Sequence, residues 1–216
     1  MNAGVKRTLL VTLGALFLLL VTQPTSRADT ITVDTTFLQG NASGPFVLGF
    51  VLIDASFTGD GNNTAVLSNF DFGGGSAGAV ATSGGGVTGN LLSGITLTDS
   101  DPSGFNFITS AFTPGTSLSF NLALTTNPDL TINPSFNQPG DEFLFVILDS
   151  TGQRIPTTQS DGSDAFAAAT IAPGGVSIQQ FSPTQTSVPE PGTVLLVASG
   201  MALGLFRRSR RRSANS

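Results

Sequence analysis

Through most of the chain's middle, apolar and polar residues alternate with a period of two. Residues 117–125 show it most clearly, with Leu118, Phe120, Leu122 and Leu124 set between Ser117, Ser119, Asn121 and Ala123. That spacing predicts a strand with one buried and one wet face. Two other runs, residues 46–53 and 143–148, are apolar almost throughout, and such runs suit central strands covered on both faces. Further strands are predicted at residues 30–38, 64–72, 91–98, 105–112, 164–171 and 176–181. The fifth of these contains Ala167–Ala169, a triplet that also permits a helical turn. Between the strands lie clusters of Gly, Asn and Asp at residues 58–62, 99–104 and 161–162, residue types that supply the positive φ and local hydrogen bonds of turns. No stretch of about ten residues carries an amphipathic helical pattern. The expected fold is all-β, an antiparallel sandwich of about nine short strands wound like a jelly roll.

One segment has low complexity. Residues 73–86 contain two Gly triplets and no Lys, so they are expected to form a flexible surface loop and not a phosphate-binding loop.

Composition narrows the chemistry. The 216 residues include no Cys, His, Trp or Tyr, but 17 Phe and 26 Gly, and only 11% are charged. Without Cys there is neither a disulfide framework nor a thiolate metal site. Without His or Cys the Ser-His-Asp and Cys-His nucleophile systems are excluded, as is a His or Cys zinc site.

The net charge of −5 conceals a segregation. Residues 29–206 hold all 14 acidic residues and a single cation, Arg154, a net charge of −13. Nucleic-acid backbones, which are bound through Lys and Arg, are therefore not a partner of this region.

The two ends read as targeting segments. Lys6 and Arg7 precede an apolar run at residues 9–21, then Pro24 and Ser26-Arg27-Ala28 before Asp29. This is the layout of a signal peptide spanning residues 1–28, cleaved between Ala28 and Asp29 by the general secretion machinery. Residues 29–181 are then the exported domain, and residues 182–192 form an extended Pro/Thr/Ser-rich linker. Residues 193–206 are apolar and are expected to form a short transmembrane helix. A helix of that length reaches about 21 Å, short of the ~30 Å hydrocarbon core, which makes a marginal anchor. The basic tail, residues 207–216, stays cytoplasmic and leaves the main domain outside.

The linker ends in Pro189-Glu190-Pro191, and the apolar segment is followed by Arg207, Arg208, Arg210, Arg211 and Arg212. These parts, in that order, resemble the PEP-CTERM sorting signal. The resemblance is confined to the tail. It implies that exosortase, a membrane-embedded protease, cuts near the motif and passes an inner-membrane precursor to the cell surface or the exopolysaccharide matrix.

Within the exported domain, sugar hydrolysis by paired carboxylates is the remaining enzymatic chemistry, and Asp141 with Glu142, or Asp99 with Asp101, are its nominees. The flanking Pro139-Gly140 favours a solvated turn for the first pair. Asp99-Ser100-Asp101 and Asp161-Gly162-Ser163-Asp164 place oxygens at short spacing suited to calcium, although neither matches a full calcium loop. The Thr-x-Thr pairs at residues 30–32 and 96–98 resemble fragments of an ice-binding array, but ordinary β-propensity accounts for them. The sequons at Asn41 and Asn62 carry little weight. The expectation is a non-enzymatic structural or adhesive protein without a cofactor. The alternatives are a carbohydrate-binding or sugar-cleaving module and a plain tail-anchored protein.

Overall fold

The computed structural model describes residues 26–127, 132–133, 138–172 and 175–184. All of its strands belong to the first of two units, Met1–Pro183 and Thr184–Ser216. The architecture is two antiparallel sheets, with a single 3-10 turn and no α-helix among the described residues.

In chain order the strands are β1 (Ser26–Asp34), β2 (Phe46–Ile53), β3 (Thr64–Asp71), β4 (Ser76–Gly84), β5 (Gly86–Asn90), β6 (Gly94–Thr98), β7 (Phe105–Thr113) and β8 (Ser117–Thr125). They continue as β9 (Ile132–Asn133), β10 (Gln138–Pro139), β11 (Asp141–Leu148), β12 (Ala167–Ala172) and β13 (Gly175–Gln180). One sheet runs β1-β8-β3-β6-β5 and the other β13-β12-β11-β2-β7-β4, with β9 and β10 paired separately. Over β1 to β4, and again from β6 to β8, each connection carries the chain to the opposite sheet. This is jelly-roll winding.

The core is what the alternation predicts. From the five-stranded sheet, Ile31, Leu67, Leu97, Leu118, Phe120, Leu122 and Leu124 point inward. They meet Leu48, Phe50 and Leu52 of β2 and Phe143, Phe145 and Ile147 of β11. At the centre Phe50 stacks on Phe145 at 5.1 Å and meets Phe120 edge-on at 5.5 Å, the offset and edge arrangements that the ring quadrupole favours. The two apolar runs pair with each other in the middle of the six-stranded sheet, Phe145 opposite Phe50. Their outer face carries a second apolar cluster of Leu144, Val146 and Ala165, joined by Val51, Ile53 and Leu148. Burial on both faces explains why these strands have no polar alternation.

Three expectations need correction, and one strand that also permitted a helical turn is settled as strand. The Gly-rich residues 73–86 are not a loop: Ser76–Gly84 forms strand β4, paired with β7 at the edge of the six-stranded sheet. Its side chains are small because its backbone lies close to β7, and a Cβ on Gly78 would sit 2.5 Å from the Ala111 carbonyl oxygen. The strand predicted at residues 30–38 ends at Asp34, whose Oδ1 accepts from the Thr36 N–H at 2.9 Å and the Thr36 hydroxyl at 2.6 Å. Those bonds turn the chain into the 3-10 turn Thr36–Leu38. The strand predicted at 91–98 begins only at Gly94, because Asn90 Oδ1 accepts from the N–H groups of Leu92 and Ser93 in a tight turn from β5. Residues Ala167–Ala169 are strand and not helix, paired with β11 on one side and β13 on the other.

The β1 edge is finished by a side chain. Gln180, the last residue of β13, accepts from the Thr32 N–H at 3.0 Å through Oε1 and donates to the Thr30 carbonyl at 3.3 Å through Nε2.

Candidate functional site

The most developed polar site lies at one end of the sandwich, where the ends of several strands converge. Asp54 follows β2, Asn63 precedes β3, Asp99 follows β6 and Asp141 opens β11. All four are buried to within 1% of full exclusion from solvent. Buried polar groups of this kind must be satisfied internally.

Asn63 is the hub. Its backbone N–H donates to both carboxylate oxygens of Asp99, at 3.0 and 2.9 Å. Its amide nitrogen donates to Asp141 Oδ2 at 2.5 Å and to the Asn127 carbonyl at 2.6 Å. Its amide oxygen accepts from the Thr125 hydroxyl and the Asn127 N–H. Asp141 Oδ1 takes the Ala55 N–H at 2.9 Å. Asp54 organises the loop after β2, accepting from Ser56 N–H and hydroxyl, both at 2.7 Å, and from the N–H groups of Thr58 and Gly59.

Asp99 and Asp141 are also hydrogen-bonded to each other through their side chains. Two carboxyl groups in such contact hold one proton between them. Burial, opposed by the Asn63 N–H and reinforced by the charges of Asp141 and Asp60, pushes Asp99 up to about 7. Burial raises Asp141 as well, against the hydrogen bonds from Ala55, Asn63 and Asp99. Burial thus holds both carboxyl groups above the ordinary carboxylate range.

This geometry separates the nominated catalytic pairs. Asp141 and Glu142 are consecutive on β11 and point to opposite faces of the sheet. Glu142 lies half-buried on the outer side, raised by burial and by the charge of Asp161. Asp99 is inside, whereas the Asp101 carboxylate sits in an exposed turn, accepts from the Ser103 N–H at 2.8 Å and is lowered by the Ser103 hydrogen bonds. Neither pair faces a shared cleft. The calcium nominees are likewise occupied as turn formers: Asp161 accepts from the Ser163 N–H and the Gln159 amide, and Asp164 from the Thr157 N–H. No group of three or more acidic, His or Cys side chains among the described residues is arranged to hold a metal ion.

A shallow cleft of about 480 Å³ lies elsewhere, between the loop after β1 and the end of β7, lined by Gln39, Asn41, Pro45, Phe46, Phe112 and Pro114. Among the described residues, no ionisable side chain lines it.

Ala28 and Asp29, the expected leader junction, lie inside β1 opposite Ala123 and Leu122 of β8. Pro189, Glu190, Pro191 and the five tail arginines, with the apolar segment between them, lie outside the described residues. Asn63 and Asp54 are the site residues that sequence reasoning missed. The signal for Asp54 was present: an Asp directly after an apolar strand, followed by Ser56, Thr58 and Gly59, is a side-chain-capped turn.

Residues 187–212 match the PEP-CTERM protein-sorting motif. That match implies processing by exosortase, a membrane protease, and a membrane-anchored precursor that goes on to the cell surface or the exterior. No curated protein and no solved structure matches the chain.

Proposed function

We propose that the chain is a non-enzymatic structural or adhesive component of the cell surface or of an exopolysaccharide matrix, delivered there by its C-terminal signal. One observation supports the non-enzymatic reading above others: the acidic side chains best placed for catalysis are consumed inside the fold. Asp99, Asp141 and Asp54 accept backbone N–H groups and tie together the ends of β2, β3, β6 and β11. Their chemistry is that of a structural clasp. No cofactor is needed for it.

The test combines mass determination of the mature protein with fractionation of cells, matrix and medium. The reading expects loss of both end segments and retention of the domain in the surface or matrix fraction. It fails if the processed protein is found wholly free in the medium, or if a sugar-cleaving activity is detected that Asp141→Asn abolishes while the fold is retained.

A further inference from the structure

The outward face of the five-stranded sheet is banded. Register places Ala123 of β8 beside Val66 of β3, Val66 beside Thr96 of β6, and Thr96 beside Thr88 of β5. These four side chains form one row across the strands and each presents a methyl group. Val66 is 40% exposed. At about 4.8 Å between strands the row is about 14 Å long.

Polar rows flank it. On one side Thr64 pairs with Thr98. On the other Asn121 pairs with both Ser68 and Thr30. Among the described strand residues, ionisable groups appear on this face only at Asp34 and Asp71, which pair with Ser117 and Ser119 at the far end of the sheet.

We propose that this banded face binds a neutral polysaccharide chain, with the methyl row against the apolar C–H faces of the sugar rings and the flanking hydroxyl and amide groups meeting the ring hydroxyls. The inference rests on the matrix reading above and assigns it a surface. The three rows cover about 200 Å², from strand spacing and the ~6.8 Å repeat along each strand. A stable protein partner needs about 800 Å² per side with an apolar centre, so a second copy or another globular protein does not fit, whereas a slender polymer does. Charge selects further. Residues 29–206 carry a net charge of −13, which repels acidic polymers and leaves neutral ones.

Co-sedimentation of the full chain, solubilised in detergent, with cellulose, curdlan or the acidic polymer alginate as its calcium gel tests the proposal. The wild-type protein is expected to sediment with at least one of the two neutral glucans, at low and high salt alike, and not with alginate. Val66→Asp and Thr88→Glu place a charge in the row on exposed positions and should each weaken binding by about tenfold or more. Gln153→Glu, an equal charge change at an exposed position remote from this face, should leave it unaltered. A melting transition like that of the wild type shows that each variant is folded; should one fail to fold, the other decides. The proposal is overturned if the wild type sediments with neither neutral glucan, if it prefers alginate, if both row variants bind as the wild type does, or if Gln153→Glu binds as weakly as they do. Fractionation of cells reads the matrix assignment independently, so loss of glucan binding and loss of surface retention are separate results.

Discussion

The buried side chains of Asp99 and Asp141 meet, joining the end of β6 to the start of β11. Asn63 grips both partners, one by its backbone and the other by its side chain. A pH dependence and a sensitivity to substitution follow from that relationship.

The first consequence is a pH dependence opposite in sign to that of a carboxylate held ionised by its partners. Asp99 titrates at about 7 in the folded chain and near 3.9 when unfolded, so between these values the native state holds a proton that the unfolded state has lost. Stability from this group is complete below pH ~3.9 and is lost as pH rises through about 7, at up to ~1.4 kcal/mol per pH unit. Thermal melts from pH 5 to pH 8 should show a falling midpoint. Asp99→Asn keeps a donor toward Asp141 without the titration and should flatten that slope; a slope unchanged in the variant would remove Asp99 as its source.

Asn63→Ala should be among the most damaging single changes in the domain. It strips the Asp141 carboxylate and the Asn127 carbonyl and N–H of their buried partner. Leaving such groups unsatisfied costs about 1–3 kcal/mol each. A total loss of about 3 kcal/mol, read from urea denaturation, is the expected outcome.

Ser110 offers the opposite case. It is fully buried on the inner face of β7, and its hydroxyl has no hydrogen-bond partner among the described residues. Ser110→Ala removes an unpaired polar group from the core with little change in volume. The variant should match or exceed the wild type, by about 0.5–1 kcal/mol in denaturant titration.

Strand β4 can be detached by one side chain. Gly78→Val would place a branched side chain against the Ala111 carbonyl, where even a Cβ lies at 2.5 Å. The expected cost is about 2–3 kcal/mol, with hydrogen exchange accelerated in β4 and retained in β2 and β11.

In the sorting signal, Glu190→Ala should leave export intact while uncleaved precursor accumulates in the inner membrane. Immunoblots of membrane, surface and medium fractions check this. A variant of wild-type size and distribution would rule out Glu190 as part of the recognised strip.

Sequence pattern revealed the sandwich where side chains do the sorting. Leu118, Phe120, Leu122 and Leu124 announce one buried face, and the continuous apolar runs announce the two strands buried on both. It was silent at β4, where Ser76–Gly84 is held by backbone contact and has no apolar face to show. The polar site was half legible. Asp99 and Asp141 were visible as candidates, but their roles depend on which way each side chain points. A one-residue difference on β11 sends Asp141 inward and Glu142 outward. Asn63 was hidden because its importance comes from residues distant in sequence, Asp99, Asn127 and Asp141, that meet only once the sheets have formed.

The amide of Gln180 imitates the peptide group of an absent neighbour, giving Thr32 an acceptor and Thr30 a donor as another strand would. Exposed strand edges are templates on which identical chains join into fibrils. In the surface or matrix layer proposed for it, the chain would meet other copies of itself. By completing part of the β1 ladder from within the same molecule, Gln180 leaves less of that edge for a neighbour to extend, and crowding of the chains there need not become polymerisation.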